Sequence, residues 1–256
     1  MSTSAVYPLL RPELRPLLEQ GDQVLAEAMS ENPCLFEQAA EIMSEGEPHP
    51  FVYRLRTGWA ARSRRLDDGR RQIIAIFLPN DLMGVKAAFL QRQPDAITCL
   101  TPVTADRIDH EAAFKLLTGN GPVAARLAFQ LAEDERRLHN WTIGLGRADA
   151  MERIAFFIVE LYGRLRRIRL VGEQATSFRL PMIQQQIGDH TGLTVVHVNR
   201  ILRRLREQKL VTIEAGKVMI HDLRGLARLA EPLFDTFERE APEYGSDRAD
   251  RISNVS

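Results

Sequence analysis

Apolar and polar positions change their period three times along the 256-residue chain, and each change marks a different kind of element. Leu10, Leu14, Leu17, Leu18, Val24, Leu25 and Ala28 recur at mixed spacings of three and four, which predicts short helices broken near Gly21. From Ala39 to Asp109 the pattern shortens. Phe51 to Leu55, Trp59 to Leu66, Gln72 to Leu78 and Ile97 to Leu100 are apolar or alternating runs. Each is closed by turn residues: Thr57 and Gly58, Asp67 to Gly69, Pro79 to Asp81, and Thr101 with Pro102. Many short strands with such punctuation predict a jelly-roll barrel or sandwich.

A helical stretch follows from Ala112 to Arg147, interrupted by Gly119 to Pro122. Leu127, Leu131, Asp134, Leu138, Trp141 and Leu145 alternate at four and three along it, the seam of a helix that packs against another helix. Packing on its own β-domain and pairing with a second copy both produce such a seam. We expect Leu127, Leu131, Leu138, Trp141 and Leu145 to be its dimerisation residues. Asp149 then offers an N-cap for a helix reaching Leu165, with Ile154, Phe157, Ile158, Leu161 and Leu165 on one face.

The stretch 181–222 carries the chemistry. A short helix with Ile183 and Ile187 on one side ends at Gly188 and Gly192, and Thr194 caps a second helix that runs to Arg206. Val198, Ile201, Leu202 and Leu205 form the second helix's inner stripe. Val195, Val196, His197, Asn199, Arg200, Arg203, Arg204 and Arg206 remain outside. Leu210 to Ile213 and Val218 to Ile220 then alternate with period two about Gly216. Two short helices about a glycine-bearing turn, the second basic outside and followed by a hairpin, form a winged helix-turn-helix whose second helix enters the major groove. We assign base contact to Arg200 and phosphate contact to Arg203, Arg204 and Lys217. Gln184, Gln185, Thr194, Val195, Val196 and His197 complete the expected DNA-binding set. The plainer alternatives are a solvated basic face and a helix pair that binds only protein.

Composition adds one asymmetry. Thirty-four basic and 34 acidic side chains cancel, yet 147–206 holds eleven Lys/Arg against five acids, and 231–251 holds seven acids against three arginines. A basic stretch beside an acidic tail points to nucleic acid. Tyr7, Pro8, Arg11 and Glu13 stand where a signal peptide needs an apolar core, so we expect a cytoplasmic protein with no membrane partner. Cys34 and Cys99 are the only cysteines, lie apart, and are expected to be ordinary buried thiols.

The chain resembles the Crp/Fnr family of bacterial regulators from about Glu41 to Arg228. The resembling residues are Gln185-Gln-Ile-Gly188, Gly192-Leu-Thr194, Val198, Arg200, Leu202, Leu205, Gln208-Lys-Leu-Val211 and Gly216-Lys217. Glu152-Arg-Ile-Ala155 looks like the start of the family's first DNA-binding-domain helix. Glu45-Gly46, Tyr53-Arg-Leu-Arg-Thr-Gly58, Asp68-Gly-Arg-Arg71 and Phe77-Leu-Pro-Asn-Asp-Leu-Met-Gly84 resemble the family's cyclic-nucleotide-binding-like roll. The resemblance implies an α+β chain with N-terminal helices (1–38), a β-roll sensor (39–111), a dimerisation helix (112–147), a winged helix-turn-helix (148–238) and an acidic, disordered tail (239–256). It also implies a homodimer on duplex DNA with a palindromic operator, and RNA polymerase as a second partner.

Departures from the family pattern are equally informative. Gly84 and Val85 stand where the nucleotide-binding branch has Gly-Glu, and Asp95 and Ala96 where it has the Arg-Ser that holds the cyclic phosphate. An acid at that place repels the ligand, so we expect no cyclic AMP. Two separated cysteines cannot reproduce the iron–sulfur branch's four ligands, so we expect no cluster. If an effector pocket exists, Gly84, Val85, Asp95, Ala96 and, from the long helix, His139 are its expected residues. The family's usual recognition-helix glutamate, which accepts from cytosine, is replaced by Val196 with Val195 beside it. Both are expected to move the operator away from the family's common half-site. Two other readings stay open: a constitutive DNA binder without effector, and a cupin-like metal enzyme, for which the roll offers only His49 and His110.

Overall fold

The computed structural model describes residues 11–30, 33–172 and 174–234. The chain divides into two compact units, residues 10–135 and a second unit that begins at Arg136. The acidic tail expected at 239–256 lies outside the described residues.

The first unit opens with a 3-10 turn at Pro12–Leu14 and the helix α1 (Arg15–Met29). Eight strands follow: β1 (Pro33–Phe36), β2 (Glu41–Met43), β3 (Phe51–Thr57), β4 (Ala60–Arg65), β5 (Arg71–Phe77), β6 (Leu82–Met83), β7 (Ala96–Cys99) and β8 (Val103–Asp109). They form two antiparallel four-stranded sheets, ordered β1-β8-β3-β6 and β2-β7-β4-β5. Met43, Ala60, Phe77, Ile97 and Cys99 from one sheet meet Tyr53, Leu55, Met83, Val103 and Ala105 from the other, all buried. Sheet faces that interdigitate in this way make the core of a roll. Segment 1–38, expected to be helical, is corrected at its end. Pro33 to Phe36 pairs with Val103 to Asp106, so a partner seventy residues away decides its conformation.

The break expected at Gly21 does not occur, and α1 runs through it. Gly21 is buried against the carbonyl of Pro122, where a Cβ would collide, so its missing side chain serves a close approach rather than a turn. Asp22 anchors the same contact through Arg126 at 2.7 Å. The interruption at Gly119 to Pro122 is real. It separates α2 (His110–Gly119), capped by the Asp109 side chain, from α3 (Gly121–Arg147). Gln130 on α3 accepts from the Leu82 backbone N–H and donates to its carbonyl, at 3.1 and 3.0 Å, which satisfies the edge strand β6.

The second unit is built around α4 (Ala150–Arg167). Asp149 accepts from the N–H groups of Met151 and Glu152, and Glu152 accepts in return from the Asp149 N–H, a complete capping box. The one-sided stripe expected on α4 proves too narrow, because residues from Ile154 to Leu165 are buried all round. Two charges lie among them. Glu160 accepts from the Trp141 indole N–H at 3.1 Å and faces Arg164 at 3.9 Å, so neither is buried unpaired. The remaining elements are β9 (Ser177–Arg179), α5 (Gln184–Thr191), α6 (Val195–Glu207), β10 (Val211–Glu214), β11 (Lys217–Ile220) and α7 (Leu223–Ala230), with β10-β11-β9 as a small sheet. No helix among the described residues is long and apolar enough to cross a membrane.

Candidate nucleic-acid interface

The angle between α5 and α6 is set locally. Gly192 ends α5 with φ 68, the left-handed conformation glycine adopts without penalty, and Thr194 starts α6 by accepting from the His197 N–H at 3.3 Å. The turn is fastened from below, where Arg153 donates to the Thr191 carbonyl at 3.0 Å. His190 is buried against Trp141 and Phe157, with ring centroids 4.4 and 5.4 Å apart. Val198, Ile201 and Leu205 hold α6 to this core as the stripe predicts, whereas Leu202, expected with them, is only half-buried.

The start of α5 is less well made. Ile183 occupies the N-cap position with cap geometry, φ −77 and ψ 162, but isoleucine has no atom that can accept a hydrogen bond. Only the return bond is present, from the Ile183 N–H to Gln186 Oε1 at 2.9 Å. Ile183 is 67% exposed, so replacing it loses little burial. Ile183→Ser is expected to stabilise the second unit by about 1 kcal/mol, read as a higher urea midpoint at unchanged slope. A lowered midpoint would refute this.

On the outer face of α6, Val196, Asn199, Arg200 and Arg203 follow one another at three-, one- and three-residue steps. With Leu202 and Arg206, Gln184 of α5, and Thr212 and Ile213 of β10, they line an open concavity of about 540 Å³. Val196 is 78% exposed. Arg203 faces Glu207 at 3.8 Å and Arg206 faces Glu214 at 3.6 Å, whereas no described carboxylate pairs with Arg200, Arg204 or Lys217. The wing turns through Ala215 and Gly216, with φ 48 and 71, a two-residue hairpin that sets Lys217 opposite Glu214.

The expected DNA-binding residues therefore differ in their freedom. Val196, Arg200 and Arg203 share the concavity with Gln184; His197, Arg204 and Lys217 are exposed outside it. Thr194 spends its hydroxyl on the cap, Val195 is half-buried, and Gln185 donates to Asp189 at 2.8 Å. Asn199 and Arg206, legible in the sequence as outer-face residues but outside the expected DNA-binding set, also line the concavity, as do Leu202, expected on the inner stripe, and Thr212 and Ile213, which carry no local signal.

The expected dimerisation residues divide as well. Leu127 packs on the buried cluster of Leu25, Met29, Val52 and Val123, and Trp141 is buried against Phe156. Leu131, Leu138 and Leu145 remain 48%, 44% and 43% exposed. Ala128, Glu135 and Thr142 are exposed between them, so the outward seam lies one residue round the helix from the one read in the sequence.

In the roll, Gly84 packs directly beneath the Met43 thioether and Val85 is buried. Asp95 is buried too, held by Lys86 Nζ at 2.9 Å and an Arg64 guanidinium nitrogen at 2.7 Å. Ala96 is half-buried at the start of β7, and His139 is exposed on α3. Cys99 is buried, its thiol pushed up to about 11 by desolvation, whereas Cys34 is only half-buried, which corrects one of the two buried thiols expected.

A β-roll unit followed by a winged helix-turn-helix is the architecture of a sensor-linked DNA-binding regulator. Residues 34–120 match the cyclic nucleotide-binding domain and residues 152–229 match the Crp-like helix-turn-helix domain. The chain is 30% identical over 185 residues to the nitrogen fixation regulation protein FixK of Rhizobium meliloti, covering 72% of this chain and 80% of that protein. It is 28% identical over 189 residues to the transcriptional activator protein Anr of Pseudomonas protegens, covering 74% and 76%. The solved structure of FixK2 from Bradyrhizobium japonicum superposes with a TM-score of 0.69 at 29% identity, over 77% of this chain and 96% of that one. The chain belongs to the Crp/Fnr family of DNA-binding transcription regulators.

Proposed function

We propose that the protein acts in the cytoplasm as a homodimer on a two-fold symmetric operator, each copy laying α6 in a major groove, with RNA polymerase as a further partner. The observation that carries this is the exposed row Val196, Asn199, Arg200 and Arg203 beside the exposed wing-tip lysine Lys217. It offers an apolar group for a thymine methyl, an unpaired guanidinium for guanine, and cations for phosphate. Leu131, Leu138 and Leu145 support pairing through α3, since three exposed leucines at heptad spacing are what a parallel helix partner covers.

The roll does not fit a cyclic nucleotide. Asp95, which by the family resemblance stands in place of the arginine that holds the cyclic phosphate, is a buried carboxylate that Lys86 and Arg64 already neutralise. The donor set does not fit an iron–sulfur cluster or a cupin-type metal either. The chain's two cysteines cannot supply the four thiolates of an iron–sulfur cluster, and no three His, Cys, Asp or Glu side chains converge on a metal site among the described residues. We therefore expect a signal of another chemistry if one acts on this roll.

Operator selection from random duplex DNA at two salt concentrations tests the reading. The expected result is an inverted repeat with half-site centres about 10 bp apart, bound with an affinity that falls steeply with salt. Leu138→Glu should shift the protein to monomer on sizing and weaken operator binding. Recovery of single, unpaired sites, or a Leu138→Glu protein that remains dimeric, would refute it.

A further inference from the structure

We propose that Asn199 is a base-reading residue and that it selects an adenine in each half-site. This rests on the reading of α6 as the major-groove helix and says what that helix reads. Asn199 lies in the middle of α6, exposed, with its side chain on the wall of the concavity shared by Val196 and Arg200. Among the described residues nothing engages its carboxamide. Its neighbours one turn away are Val195, Val196 and Leu202, which have no polar side-chain atoms, and Arg203, whose guanidinium faces Glu207.

Asparagine is among the poorer helix formers because its short amide competes with the backbone. An exposed mid-helix site gives it no packing in return, so stability does not explain its presence. Lysine, arginine or glutamine, all better helix formers, would serve a merely solvated position.

The chemistry of the carboxamide names the partner. It presents one acceptor and two donors in a plane. The major-groove edge of adenine presents a donor at N6 beside an acceptor at N7, so both ends of the amide are satisfied at once. Guanine offers two acceptors, which leaves the amide oxygen facing O6 or N7. Cytosine and thymine each offer one group. Adenine alone pairs bidentately, while the adjacent Arg200, a double donor, matches guanine. Two neighbouring side chains, one acceptor-plus-donor and one double donor, thus specify two different purines in each half-site.

The test uses the full-length protein. Wild type, Asn199→Ala and Arg200→Ala are each taken through selection from random duplex DNA. Wild type is expected to recover one adenine per half-site beside the guanine, and Asn199→Ala to lose the preference at that base pair alone. Binding of Asn199→Ala to the selected operator should fall on the order of tenfold per half-site. Replacing that adenine with 7-deazaadenine, which lacks the N7 acceptor, should weaken wild type by a similar factor. It should leave Asn199→Ala unchanged, a pattern that an indirect effect on helix shape would not give. If wild type selects a half-site but Asn199→Ala recovers it intact, or 7-deazaadenine is tolerated by wild type, this inference is overturned and the DNA-binding reading stands. If wild type selects no sequence, the DNA-binding reading itself fails.

Discussion

Phe157→Ala should bring the second unit close to its unfolding threshold. The ring is fully buried on the central helix α4 and touches His190, the residue through which α5 rests on that core. Removing a buried phenyl group costs about 3 to 5 kcal/mol, from lost transfer energy and the cavity left behind. A domain typically has only about 5 to 15 kcal/mol of net stability, so the variant should populate unfolded second unit well below the wild-type midpoint. The chain has two tryptophans, Trp59 in the roll and Trp141 against Phe156. In a Trp59→Phe background, Trp141 fluorescence therefore reports the second unit alone during urea unfolding. Phe157→Leu, which keeps much of the volume, should cost less than about 1.5 kcal/mol. Equal midpoints for Phe157→Ala and its parent would show that α4 does not organise this unit.

The elements legible in the sequence were those whose signals are local. Asp149 and Thr194 announce helix starts by capping chemistry that spans three residues, and Gly192 announces a helix end by a backbone angle other residues avoid. The winged helix-turn-helix is a series of such signals, so its order could be read directly. β1 could not, because Cys34 and Phe36 become strand only by pairing with Ala105 and Val103. Gly21 illustrates the converse, a breaker in sequence whose meaning depends on Pro122, a hundred residues away.

The seam of α3 shows how far periodicity reaches. An apolar repeat identifies that a helix face is covered without saying what covers it. Leu127 and Trp141 turn out to serve the cores of their own units, which leaves Leu131, Leu138 and Leu145 facing outward. Within the interface the same limit applies. Arg203 has Glu207 one turn on, an i,i+4 pair already legible in the sequence, but whether a residue distant in the chain pairs with Arg200 could be read only from the structure.

That distinction gives the largest effect expected on DNA binding. Arg200→Ala should remove the guanidinium proposed to pair with guanine O6 and N7, a contact worth about 1 to 3 kcal/mol of discrimination. A symmetric operator presents the contact twice, so the loss on the full site is about 2 to 6 kcal/mol, or roughly thirty- to twenty-five-thousandfold in affinity. The same substitution should change binding to unrelated DNA far less, because a base contact adds little to the phosphate term. Lys217→Ala makes the complementary case. A lysine exposed at the wing tip is placed for a phosphate, so its loss should weaken binding to all sequences alike. Each phosphate contact removed lowers the salt slope by about 0.9, hence by about twice that for a dimer. Titrations of both variants against operator and scrambled duplex over a range of salt separate the two roles. A specificity ratio that survives Arg200→Ala but collapses with Lys217→Ala would invert the assignment, making the wing rather than α6 the element that reads sequence.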